Sequence, residues 1–221
     1  MSWHDFWVFV HILLFVYWLG ADLGVLVLAR RARDAALPLE QRLLLLEMAM
    51  KIDLTPRVAF VLMLPVGIQL ATQLGLMGLS PWLPLAAWAV AGLWLLLVLR
   101  LAVTGGTDPT LHRLQTIWLM LLTLIMTMAA LLPWLLPGVD WPLWLSGKLA
   151  LYGLICVTAL AIDIAFRPVA RGFALLAQGG GAAGEGESLV GSGLGITIRV
   201  VLTLYALLVM AAWLGIAKPG L

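Results

Sequence analysis

Trp3 to Leu28 is an almost unbroken apolar run, and five further apolar runs follow it along the chain. A helix needs about 20 apolar residues to cross the hydrocarbon core of a bilayer. Six segments meet this, roughly 3–29, 58–79, 83–103, 112–135, 143–166 and 194–217. With 63% hydrophobic and only 11% charged residues among 221, a soluble core cannot hide this much apolar surface. In lipid every backbone polar group must be satisfied within the segment, so runs of this length fold as helices. The expected fold is an all-α polytopic membrane bundle in one domain, 1–221, of six transmembrane helices plus one amphipathic helix.

The amphipathic helix lies at 38–57, LPLEQRLLLLEMAMKIDLTP, where Glu40, Glu47 and Lys51 share one face. It is expected to lie on the cytoplasmic side and run into the second span, with a kink near Pro56 or Pro65. The segment 178–188, QGGGAAGEGES, reads as a flexible cytoplasmic linker. No Lys-Ser/Thr follows its glycines and no strand precedes them, which argues against a phosphate-cradling loop.

Basic residues set the expected orientation. Arg30, Arg31, Arg33, Arg42, Lys51 and Arg57 lie between the first two spans, Arg100 and Arg113 bracket the third connection, and Arg167 and Arg171 follow the fifth span. The connections 80–82 and 136–142 carry no Lys or Arg. This alternation places the basic connections in the cytoplasm and both termini outside, in the periplasm of a bacterial inner membrane. Eight of the eleven tryptophans fall toward the outer ends of their helices, a one-sided aromatic belt. The first span has no positive n-region or small-residue cleavage site, and is expected to be retained. The basic residues do not cluster with aromatics on a polar segment, so no nucleic-acid partner is expected. The lone Cys156 excludes an intrachain disulfide.

Ionisable residues within spans are costly and mark sites or partners. At 100° per residue, His4, His11, Trp18 and Asp22 fall on one face of the first helix, which should turn toward protein or water. Lys148 lies four residues after Trp144, as His11 lies four after Trp7, so the two should sit at similar depth in the outer half. Asp22, Asp163 and Arg199 lie near the cytoplasmic ends of their spans and are expected to form a buried ion pair. No two histidines occupy one depth on opposing helices, so a bis-histidine haem is not expected, whereas a single-histidine haem or porphyrin site remains open.

The stretch VHILLFVYWLGADLGVLVLAR resembles the first span of the HemJ-type protoporphyrinogen oxidases and the related CopD-like membrane proteins, with His11, Trp18, Gly20 and Arg30 at the matching places. WLSGKLALYGL resembles a later span of that family with its lysine, here Lys148, and LMLPVGIQL its second span. Two spans, the third and fourth, lie between the matched helices. The resemblance implies a haem b or porphyrin at a site of His11, Trp18, Lys148 and Tyr152. His11 and Lys148 would be its catalytic pair, with His11 on the haem iron and Lys148 on a porphyrin carboxylate. Two other functions fit the residues: a small proton-coupled transporter using Asp22, Asp163 and Arg199, and a non-catalytic accessory or assembly subunit. Expected partners are the lipid bilayer, a porphyrin ligand and a second copy or other subunit of a membrane complex.

Overall fold

The computed structural model describes residues 2–76, 82–105 and 108–218. Among these residues the chain forms six long helices and no strand: α1 (Trp3–Ala32), α2 (Leu39–Gln73), α3 (Leu83–Val103), α4 (Pro109–Leu135), α5 (Leu143–Gln178) and α6 (Ala183–Ala217). Each is long and apolar enough to cross a membrane, so the fold is an all-α, multi-pass membrane helix bundle in contact with lipid. The expected connection at 80–82 and the last three residues of the expected second span fall partly or wholly outside the described residues.

Local chemistry explains where several helices begin. Ser2 Oγ accepts from the Asp5 amide at 3.1 Å while Ser2 N donates to Asp5 Oδ2 at 2.7 Å, a reciprocal cap that starts α1. Asp108 Oδ1 accepts from the amides of Thr110 and Leu111, with Pro109 at the first helical position of α4. The amphipathic segment and the second span form one 35-residue helix, α2, with Pro56 and Pro65 inside it. Neither proline can donate to the carbonyl four residues back, so those of Ile52 and Val61 lose a helical partner.

The helices stand in two layers of three, α1–α2–α3 facing α6–α5–α4. Packing is extensive within each layer, between α1 and α2, α2 and α3, α4 and α5, and above all α5 and α6. It is thinner across the layers, where α1 meets α6, α2 meets α5 and α3 meets α4. Helices α1, α2, α5 and α6 thereby close one four-membered ring, with the backbones of α1 and α5 apart on a diagonal among the described residues.

The centre is aromatic. Phe60 of α2 lies 5.0 Å from Trp18 of α1, 5.0 Å from Trp94 of α3 and 5.3 Å from Tyr152 of α5, centroid to centroid. Trp94 continues to Trp118 of α4 at 6.3 Å and donates its indole N–H to buried Gln115. These three tryptophans are the ones outside the belt; the other eight gather at one end of the bundle, and the arginines mark the opposite end.

The Gly-rich segment is a correction to the sequence reading. Gly180–Ala182 form a short 3-10 turn and α6 begins at Ala183, so most of the expected linker is helix. Its glycines serve as packing surface. A Cβ at Gly186 would come within 2.9 Å of the Gly172 carbonyl, and one at Gly172 within 2.8 Å of Val190 Cγ2. Further along, a Cβ at Gly193 would meet Val169 Cγ2 at 2.7 Å. Small residues at these positions let two helix backbones touch.

Helices α2, α5 and α6 each run about 53 Å at 1.5 Å per residue, well beyond a hydrocarbon core of about 30 Å. At the arginine-rich end Arg42 fastens this overhang. Its side chain is 2% exposed, donates through Nε to the Ala32 carbonyl at 2.9 Å, holds Glu187 with both terminal nitrogens, and lies over the Phe173 ring. One guanidinium thus caps the C-terminus of α1 and binds α2 to α5 and α6.

Candidate functional site

The inward face of α1 follows its helical period. In antiparallel register with α2, His4 Nδ1 pairs with Gln73 Oε1 at 3.2 Å, His11 faces Gly67, Trp18 stacks on Phe60, and Gly24 faces Ile52. Trp18 and Asp22 are buried, 3% and 6% exposed. The face expected to turn from lipid does so.

Near the arginine-rich end the ring carries a charge cluster. Arg57 of α2 bonds Asp53, one turn away, at 2.5 Å and reaches Asp163 of α5 at 3.9 Å. Asp22 of α1 acts on the same guanidinium through space. Tyr205 of α6 presents a buried hydroxyl, without a hydrogen-bond partner among the described residues, that lies in the field of Asp22 and Asp53. Helical side chains lean toward their N-terminus, which carries Tyr205 toward this end. All four helices of the ring therefore contribute: three carboxylates, one guanidinium and one phenol. His112 of α4, Arg167 of α5 and Arg30 of α1 flank the group.

Arg199 is not the partner of Asp22 or Asp163, which corrects the expected ion pair. The register that sets Gly193 on Val169 puts Arg199 level with Asp163, as depth alone suggests. Arg199 follows the inward-facing Ile198, however, and the 100° step turns it outward, where it is exposed. The cation of the cluster is Arg57, which depth counting assigns to the boundary of the second span. Asp53 and Tyr205 were equally hidden in the sequence. The Asp53–Arg57 spacing of four residues is the one signal that pointed to them.

At the tryptophan-rich end His11 and Lys148 lie within electrostatic reach of each other. Their helices, α1 and α5, sit on a diagonal of the ring, so each side chain rests on a different neighbouring helix. His11 lies with Cε1 about a van der Waals contact, 3.8 Å, from where a Cβ on Gly67 would stand, and its Nδ1 is enclosed with no partner among the described residues. Lys148 rests on α6, its Nζ 2.5 Å from a Cβ added to Gly215. Lys148 thus occupies a place left by a glycine on the neighbouring helix, whereas His11 only touches one.

Trp18 and Tyr152, the other residues of the implied porphyrin site, do come together, on opposite sides of Phe60. Tyr152 donates to the Phe60 carbonyl at 3.0 Å, in the turn loosened by Pro65. They form packed core, closed to a ligand. Two apolar grooves face outward, one of about 450 Å³ between α1 and α2 (Val10, Leu13, Tyr17, Leu54, Val58) and one of about 340 Å³ near Trp134, Trp144 and Leu214. Neither is lined by His11 or Lys148. As packed, these residues do not fit a haem or porphyrin.

Along the ring axis the order is therefore polar, aromatic, polar: His11 and Lys148, then Trp18, Phe60 and Tyr152, then the Asp22–Asp53–Arg57–Asp163–Tyr205 cluster. Compared with protein-family models, curated proteins and solved structures, the chain matches none.

Proposed function

We propose that this chain is a small proton-coupled carrier of a bacterial inner membrane, with its arginine-rich end in the cytoplasm and both termini in the periplasm. The observation that carries the reading is the charge cluster at the junction of the two layers. Asp22, Asp53 and Arg57 belong to one layer and Asp163 and Tyr205 to the other. Within the cluster three carboxylates face one bonded guanidinium, Arg57, with Arg30 and Arg167 only at its edge, so a carboxylate there can take up a proton at modest cost. Carboxylates of this kind inside membranes mark proton relays.

The exposures give the relay a direction. Asp53 and Asp163 keep 27% and 26% of their side chains accessible, whereas Asp22 is 6% exposed. A proton from water is accepted by an outer carboxylate oxygen and passed to Asp22, with the Tyr205 hydroxyl able both to donate and to accept. The aromatic layer bars water from continuing to His11 and Lys148. Carriers with a site at the interface of two helix groups open it alternately by rocking one group against the other.

A haem- or porphyrin-linked oxidoreductase has weaker support, since His11 and Lys148 line neither groove. Proton uptake into dye-loaded proteoliposomes under an imposed pH gradient tests the carrier reading. Wild-type protein should take up protons faster than Asp22→Asn, and Asp163→Asn should fall between them. Identical rates for wild type and Asp22→Asn would sink the proposal.

A further inference from the structure

Among the described residues, five of the thirteen Lys and Arg side chains are matched to carboxylates: Arg31, Arg42, Lys51, Arg57 and Arg171. Three of the unmatched ones fall, by helical register, along one seam, that between α1 and α6. Arg33, at the end of α1, lies flat on α6, with its guanidinium carbon and one terminal nitrogen both 3.4 Å from where a Cβ on Gly195 would stand. A methyl group there would meet the guanidinium at ordinary van der Waals distance. One turn toward the membrane centre, Arg30 precedes Arg33 by three residues and Arg199 follows Gly195 by four, so both project over the same seam. Deeper still, Leu26, Ile198 and Val201 close the seam with apolar contacts, Tyr205 packing beside them.

No carboxylate pairs with Arg30, Arg33 or Arg199 among the described residues. Three guanidiniums gathered without an anion repel one another, and the repulsion is strong beside low-dielectric hydrocarbon. The planar fork of arginine matches phosphate oxygens two at a time. The seam also runs from apolar helix surface down to the arginine-rich end, so long arginine side chains on it can reach toward lipid headgroups. Basic pockets between transmembrane helices on that side suit anionic headgroups.

We propose that Arg30, Arg33 and Arg199 form a binding site for the phosphate of an anionic phospholipid, whose acyl chains lie along the outer face of α1 and α6. The site does not rest on the carrier reading: Arg33 and Arg199 lie outside the proton cluster, and Arg30 only flanks it.

Native mass spectrometry of the full-length protein, with phosphatidylglycerol and phosphatidylcholine titrated in turn, tests it. Wild-type protein should retain phosphatidylglycerol preferentially, and Arg30→Gln/Arg33→Gln/Arg199→Gln should lose about tenfold or more of that preference, near 1.4 kcal/mol. The double variant Arg100→Gln/Arg113→Gln, which removes two cations from the same end of α3 and α4, should keep it. Arg199→Lys, on an exposed position that the fold does not need, should lose part of the preference because a point charge replaces the fork. Unchanged preference in the triple variant and in Arg199→Lys would overturn the proposal. Equal loss in the α3–α4 double variant would too, by showing a general effect of surface charge. So would displacement of the lipid by millimolar inorganic phosphate, which would make this a site for the free anion.

Discussion

Arg57 and Arg199 sit at comparable depth and differ in rotation about their helices. Removing Arg57 leaves Asp22, Asp53 and Asp163 without their common cation. Breaking a fully buried pair costs about 3–5 kcal/mol. Arg57 keeps 42% of its side chain accessible, so screening brings the expected loss for Arg57→Ala down to about 1–2 kcal/mol. Arg199→Ala, which breaks no pair, should stay within about 0.5 kcal/mol. Thermal unfolding in a zwitterionic detergent compares the two, and an equal or larger drop for Arg199→Ala would contradict the assignment. The same pair of residues shows what is legible in a sequence. Counting from helix ends gives depth, and helical period gives the shared face of His4, His11, Trp18 and Asp22. Neither says which way a residue on another helix is turned toward that face. Depth and period therefore do not identify the partner of Asp163, and nothing marks the phenol of Tyr205 in its apolar span.

Among the elements, the α5–α6 pair depends on glycine more than any other. Gly172 and Gly191 look alike in the sequence, each in an apolar helical setting. A Cβ on Gly172 would stand 2.8 Å from Val190 Cγ2, 2.9 Å from the Gly186 carbonyl and 3.0 Å from the Val190 amide, and two of these are backbone atoms that cannot swing away. A Cβ on Gly191 meets nothing within 4 Å. Gly172→Ala should therefore destabilise by at least the roughly 1–3 kcal/mol of an overpacked core. Gly191→Ala should stabilise by roughly 0.5–1 kcal/mol, because alanine loses less freedom in a helix. Melting curves of the two variants should move in opposite directions, and a shared direction would mean that the close approach of α5 and α6 is misplaced. The six helices were legible because each apolar run is as long as a bilayer is thick. The helical start of α6 was not, since QGGGAAGEGES has the composition of a linker. What makes it helix is the flat face of Phe173, Val169 and Gly172 across from it.

At the scale of the molecule, the proposed orientation has a direct check. Cys156 is buried with 0% exposure and should not interfere with labelling of an introduced cysteine. A cysteine placed at Asp140 should react with an impermeant reagent from the periplasmic side, and one at Glu185 should react only after the membrane is opened; the reverse pattern would invert the topology. Membership of the layers follows chain order, α1 to α3 in one and α4 to α6 in the other. A single peptide connection, between Val103 and Pro109, passes from one to the other. In assembly terms, the protein is two three-helix layers that share one core and one short covalent link. Its ring of charges spans the boundary between the layers, and the backbone between α3 and α4 acts as a tether that sets local concentration, while Tyr152, Phe60 and Arg57 supply the recognition.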